Sequence, residues 1–220
     1  MLIGLVVPVM SNFKGFAELM RSVNDIVLPI VEDNWTVNRG VSKAWNDGIL
    51  WAAESGCSHV MVANDDVTFT GVEPLRNLAE TMDFAGLDLI TPTDVKNVPD
   101  VFDSSLGENP NFAAFMIRPA EFLEKFGEFD ENFKPAYFED NDMAYRIKVG
   151  GGRYANDLRY TIRHEGSVTQ FKGQGPGEER VVSHMRFRLN RDYYQAKWGG
   201  IPGEEKYSTP FNRGGSIRDW

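Results

Sequence analysis

Short apolar runs alternate with amphipathic stretches through the first half of this chain. Leu2 to Val9 is a continuous apolar run, the pattern of a strand covered on both faces of a sheet. Phe13, Phe16, Ala17, Met20 and Val23 then recur at helical spacing, with Ser11 or Asn12 in the capping position. A second apolar run, Ile26 to Val31, leads into a turn-rich stretch from Glu32 to Gly40. Val41, Ala44, Trp45, Gly48, Ile49 and Ala52 form the clearest helical stripe, and Gly56 stops it. His59 to Ala63 reads as a third strand, Pro74 as the first turn of another helix, and Leu87 to Ile90 as a fourth strand.

The second half is less regular. From Thr91 to Pro110 the pattern breaks into Pro, Asp, Asn and Ser, which predicts a loop at the edge of the ligand site. Phe112 to Ile117 predicts a further strand, and Arg118-Pro119 opens a short helix to Phe126. Glu139 to Val149 predicts a helix closed by Gly150-Gly151-Gly152, and Arg153 to Arg163 one or two short strands. Gly173 to Gly177 reads as a hinge, Glu178 to Trp198 as a helix, and the remainder as an extended tail. Met185, Leu189 and Tyr193 fall near helical spacing there, a stripe for packing on the core or on a partner subunit. Strands alternating with helices imply an α/β fold with a largely parallel sheet, whose ligands bind at the C-terminal strand ends.

Three places on this scaffold carry candidate chemistry. Asn64-Asp65-Asp66 lies just past a buried strand. Oxygen ligands there suit Mg²⁺ or Mn²⁺, and an Asx-turn explains the same residues. Asn38-Arg39-Gly40 and Lys43 surround a helix start, so backbone N–H groups and two cations can face a diphosphate or simply be solvated. Residues Tyr137 to Arg146 crowd Glu139, Asp140 and Asp142 at another helix start. Such a cluster supplies a base facing a cleft, or it caps the helix and complements its dipole. His164, at a further strand end, is a possible metal ligand or a hydrogen-bonded histidine.

Composition narrows the field. A chain of 220 residues with 42% hydrophobic content buries a proper core. The net charge of −9 argues against nucleic acid as the main partner. Nucleotides stay open, because carboxylates can hold a cation that meets a diphosphate. Leu2 to Val9 is too short to span a bilayer and lacks a signal peptide's flanks, so no integral membrane contact is expected. The single cysteine, Cys57, reads as structural and suits a reducing cytosol, which makes a cytoplasmic protein the expectation. Pro8 to Asn12 has no Gly-rich fingerprint, which argues against a dinucleotide site. The chain shows no nucleophile elbow and no zinc-like Cys/His cluster.

Taken in order, five blocks resemble family 2 glycosyltransferases of the GT-A fold, particularly the rhamnosyltransferase-like branch. They are Val6-Val7-Pro8-Val9; Asn38-Arg39-Gly40 with Asn46-Asp47-Gly48; Asn64-Asp65-Asp66; Phe112 to Arg118; and Gly127 to Phe133 running into Tyr137 to Arg146. The resemblance covers roughly residues 1–165. It implies a GT-A catalytic domain there, nucleotide-sugar-binding in its first half and acceptor-binding in its second, with residues 166–220 as a C-terminal helical extension. The implied fold is a Rossmann-like, mostly parallel central sheet flanked by helices.

The same resemblance assigns roles. Asn64-Asp65-Asp66 matches the family's DXD motif with Asn in its first place, so Asp66 would hold Mn²⁺ or Mg²⁺, with Asn64 and Asp65 on the donor side and Asp65 also supporting the metal. His164 matches a further metal ligand in some members. Pro8, Val9 and Asp33 would line the nucleoside pocket, and Arg39 would touch the donor. Glu139-Asp140 matches the catalytic acidic pair, with Asp140 as base and Tyr137, Phe138 and Asp142 on the acceptor side. Like-charge repulsion from Glu139 and Asp142 would raise the base's proton affinity. Tyr137, Phe138 and Phe133 offer sugar-stacking faces or core packing.

The implied activity is inverting, metal-dependent transfer of a sugar from a UDP-, GDP- or dTDP-linked donor to a glycan, protein or small-molecule acceptor. Two other readings stay in view. A sugar-phosphate nucleotidyltransferase needs a Gly-rich loop with a basic residue after the first strand, which Pro8 to Asn12 lacks. A non-catalytic sugar-nucleotide or glycan-binding module of the same fold is opposed by the presence of both Asp66 and Asp140.

Overall fold

The computed structural model describes residues 1–98, 106–107, 110–165 and 178–220, with side chains of the last stretch described from Met185. The expected Gly173–Gly177 hinge lies outside the described residues. Eight strands form one sheet in the order β2-β1-β3-β7-β5-β8-β4, with β6 pairing β8. These are β1 (Ile3–Val9), β2 (Val27–Asp33), β3 (His59–Ala63), β4 (Val67–Phe69), β5 (Leu89–Asp94), β6 (Leu106–Gly107), β7 (Ala114–Ile117) and β8 (Tyr154–His164). Strands β1, β2, β3, β5 and β8 run one way, while β4, β6 and β7 oppose them. The sheet is therefore mixed but mostly parallel.

Helices α1 (Phe13–Ser22), α2 (Val41–Glu54), α3 (Pro74–Ala85), α4 (Pro119–Phe126), α5 (Glu139–Val149) and α6 (Glu178–Trp198) complete the fold. One core joins β1 and β3 to α1 and α3 through Leu5, Leu19, Met61, Leu75 and Met82. A second covers the other face through Val6, Trp45, Ile49, Phe115, Phe126, Phe129 and Ile147. Gly48 lets α2 come close to β1, because a Cβ there would collide with the Val6 side chain. Each fully buried side chain of this size contributes about 1.5–3 kcal/mol.

Several elements differ from the sequence pattern. β5 continues through Thr91, Pro92, Thr93 and Asp94, where a loop was expected, because β8 pairs with it across a register shift at Pro92/Thr93. Residues 154–164 form one eleven-residue strand rather than one or two short ones. β4 has only three residues, too few to show a period. The residues after Trp198 are not an extended tail. Tyr207 N donates to Trp198 O, Arg218 Nη1 bonds Glu124 O, and Ile217 packs against the second core. In α6, Tyr193 packs on Phe133, whereas Met185 and Leu189 are exposed. Among the described residues no helix is long and apolar enough to cross a membrane.

Candidate active site

The Asn64–Asp66 segment is the tight connection between β3 and β4, closed by Val67 N donating to Asn64 O at 3.2 Å. Asp65 turns toward the end of β1, where Met10 N reaches its Oδ2 at 3.3 Å. Asn12 ties α1 to the same turn: its Nδ2 donates to Asp65 O while its Oδ1 caps Gly15 N. Gly15 is needed there, since a Cβ would strike Asp65 O. The β4–β8 pairing sets Val67 opposite His164. His164 Nε2 thereby lies 3.3 Å from Asp66 Oδ1. That hydrogen bond raises the His164 pKa against the opposing effect of burial.

Asp66 in the β3–β4 turn and His164 at the end of β8 thus supply a carboxylate and an imidazole side by side. Among the described residues no group of three or more His, Cys, Asp or Glu is arranged to hold a metal ion. The pair fits a cation that takes its other ligands from phosphate oxygens and water.

At the end of β1, where a nucleoside pocket was expected, Val9 pairs with Asp33 of β2. Val9 is a correction: its side chain is 1% exposed and belongs to the core, and its carbonyl accepts from Asn34 N. Pro8 is half-buried beside it. Asp33 is exposed, and hydrogen bonds from Thr36 and Trp35 hold its pKa below the ordinary value. Arg39 is engaged elsewhere than expected. Its guanidinium binds Glu32 at 3.0 Å and Asp47 at 2.7 Å, and Lys43 also pairs with Asp47. Neither cation presents a free fork to a diphosphate. Sequence reasoning missed Phe13 and Trp35, an exposed edge-to-face pair with centroids 5.6 Å apart beside Asp33. No pattern in the chain marked this pair, since Phe13 reads as part of the first helical stripe and Trp35 lies in the turn-rich stretch.

The acidic cluster opens α5. Tyr137 (φ 83°) and Phe138 (φ 73°) both adopt left-handed backbone before Glu139, which costs each of order 1–3 kcal/mol and persists only where the surroundings impose it. Asn190 of α6 imposes it, donating to Ala136 O at 2.8 Å and Tyr137 O at 3.1 Å. Phe138 packs on Tyr194, and both Tyr137 and Phe138 touch Phe187. Phe133 is fully buried, so it packs the core and offers no sugar-stacking face. Val41 N donates to Pro135 O at 2.8 Å. That bond docks the loop on the start of α2, which follows the C-terminal end of β2, so the cluster lies at the C-terminal edge of the parallel strands.

The three carboxylates have different environments. Glu139 is 7% exposed with no hydrogen-bond partner for Oε2. Burial, then Asp140 and Asp142, push its pKa up to about 8. Asp140 is half-buried, accepts from Asn141 N at 2.8 Å, and is raised by burial. The like-charge tuning expected for Asp140 therefore falls on Glu139 instead. Asp142 is a correction. It is wholly buried, where burial would raise its pKa, but Arg146 and Lys197 hold it below the ordinary value. Trp198 Nε1 adds a hydrogen bond at 2.7 Å. A carboxylate without exposed surface does not touch an acceptor.

No protein-family model matches the chain, and comparison with curated proteins finds no match. Solved structures do resemble it. TarS from S. aureus in complex with UDP aligns with a TM-score of 0.53 at 13% identity, over 93% of this chain and 74% of that one. The mannosyltransferase PcManGT from Pyrobaculum calidifontis, in complex with GDP-Man and Mn²⁺, gives 0.56 at 12% identity over 85% and 69%. GalNAc-T7 with UDP, GalNAc and Mn²⁺ gives 0.54 at 13% identity over 89% and 50%. What is shared is the fold: a GT-A glycosyltransferase sheet flanked by helices.

Proposed function

We propose that this chain is an inverting, metal-dependent glycosyltransferase of family 2, in its rhamnosyltransferase-like branch. It would move a hexosyl or deoxyhexosyl group from a UDP-, GDP- or dTDP-linked donor to a glycan, protein or small-molecule acceptor. The observation that carries this reading is the Glu139–Asp140 pair, raised in proton affinity by burial at the ligand edge of a GT-A sheet. The Asp66–His164 pair supports it. So do the nucleotide-bound structures of similar fold, two of which also hold Mn²⁺.

Asp140 accepts the proton of the acceptor hydroxyl as that oxygen attacks the anomeric carbon opposite the departing diphosphate, which inverts the centre. Burial and the neighbouring carboxylates bias Glu139 toward its neutral form, so it does not compete for that proton. Asp66 and His164 would hold the divalent cation, Mn²⁺ or Mg²⁺, whose charge offsets that of the leaving group. Asp33, beside Phe13 and Trp35, supplies a hydrogen-bond acceptor and an aromatic wall for the nucleoside.

A thermal-shift and turnover panel of UDP-, GDP- and dTDP-sugars with and without Mn²⁺ tests the reading. A stabilisation needing metal and one nucleotide, with release of that nucleotide, is expected. Binding without transfer or hydrolysis would favour the binding-module reading, and no response to any donor would sink both.

A further inference from the structure

On the flank where β4 and β8 meet α1 lies an open cleft of about 600 Å³. Arg21 of α1, Thr68 of β4, Lys96 after β5 and Arg163 of β8 line it. The β4–β8 register sets Thr68 opposite Arg163, which places both on one side of the sheet. Lys96 is anchored by Nζ donating to His164 O at 2.8 Å. Arg21 and Arg163 make no ion pair among the described residues, unlike Arg39, Arg118 and Arg159, which carboxylates hold. Glu18 and Glu165 also border the cleft, and Glu18 lies 3.6 Å from Lys14. Three cations and two carboxylates therefore border the cleft, a local excess of positive charge in a chain whose net charge is −9. That excess attracts an anion.

We propose that this cleft binds a phosphate monoester, at a site distinct from the donor diphosphate; that distinction rests on the transferase reading. None of Asp65, Asp66, Glu139 and Asp140 lines the cleft, which meets the candidate metal pair only through His164. Two guanidiniums offer planar forks for phosphate oxygens, Lys96 adds a point charge, and the Thr68 hydroxyl adds a hydrogen bond.

Isothermal titration of the full chain tests this with inorganic phosphate, glycerol 3-phosphate, glycerol, and UDP with Mn²⁺. Wild type should bind both phosphates and not glycerol. The R21A/R163A variant, altered at two exposed positions, should lose at least about tenfold in phosphate affinity while binding UDP with Mn²⁺ as wild type does. Lys148→Ala, an exposed cation elsewhere, should change nothing. Absence of phosphate binding by wild type, or equal losses in K148A, overturns the site. Binding of inorganic phosphate but not glycerol 3-phosphate marks a free-ion site and overturns the monoester assignment. Parallel loss of UDP binding in R21A/R163A gives the cleft to the donor and also overturns it. Should wild type bind glycerol 3-phosphate but no nucleotide of the panel, the transferase reading fails while the phosphate site stands.

Discussion

Lys197 Nζ lies 2.7 Å from Asp142 Oδ1, and both side chains are fully buried. The same ammonium is 2.8 Å from Asp130 Oδ2, and Arg146 closes the other side of Asp142 at 2.8 Å. This network fastens the end of α6 to the first turn of α5, two residues from Asp140. Trp220 covers it, with its ring 5.0 Å from the Arg146 guanidinium and 5.5 Å from Lys197 Nζ.

Removing the ammonium leaves buried Asp130 without a cation and Asp142 with Arg146 alone. Lys197→Met should destabilise the protein by about 3–5 kcal/mol, the usual cost of breaking a buried pair from one side. Urea denaturation measures it. A loss below about 1 kcal/mol would mean that water reaches the network and Lys197 does not fasten the helices.

Asp140→Asn keeps the shape of the side chain and removes the proton acceptor. Turnover should fall by about 10²–10⁴-fold with donor affinity unchanged. The wild-type rate should rise with pH through a pKa above the ordinary aspartate value, because burial favours the protonated form. Surviving turnover in the variant would move the base elsewhere.

Glu139 makes stability depend on pH with a definite sign. Its folded pKa, about 8, lies above the ordinary 4.5, so the folded state binds the extra proton. Stability should decline as pH rises between these values, by up to about 1.4 kcal/mol per unit. Glu139→Gln should abolish that decline, stabilising the protein above pH 8 relative to wild type and gaining nothing below 4.5. Identical pH profiles for the two proteins would show that the carboxylate is solvated.

Asp66→Asn and His164→Ala should each weaken Mn²⁺-dependent binding of nucleotide by about 10–100-fold, with the metal-free baseline of thermal stability little changed. Titrating Mn²⁺ at fixed UDP reads this directly. An unaltered midpoint in both variants would remove the pair from the metal site.

Asn190→Leu should free the strained turn before Glu139. The carbonyls of Ala136 and Tyr137 lose their donor, a cost of about 1–3 kcal/mol. Turnover should fall more than KM rises, since the acidic pair loses its orientation and the proposed donor contacts at the ends of β1 and β2 do not. Equal stability and kinetics would show that the aromatic contacts alone hold the turn.

The candidate chemistry that was legible in the chain shares a local signature. Asn64-Asp65-Asp66 follows a run of buried β residues, and Glu139-Asp140 opens a helical period; strand ends and helix starts can be read from spacing. Partners could not be read this way. Arg39 looked free because Glu32 and Asp47 lie seven and eight residues away along the chain, meeting it only when the β2–α2 connection folds back. Asp142 read as a helix-start carboxylate on the acceptor side, because its partners Lys197 and Trp198 lie on a different helix.

By itself the sequence determined the alternation of buried strands and amphipathic helices, and hence the α/β class. That follows because side-chain periodicity is a local consequence of burial. Tertiary structure decided the insertion of β7 between β3 and β5, the meeting of Asp66 with His164 through the β4–β8 register, and the division of the acidic cluster. Three like carboxylates became a neutral-leaning Glu139, a half-buried Asp140 and a cation-locked Asp142. Charge state depends on distance and dielectric in space, and neither is written in the order of residues.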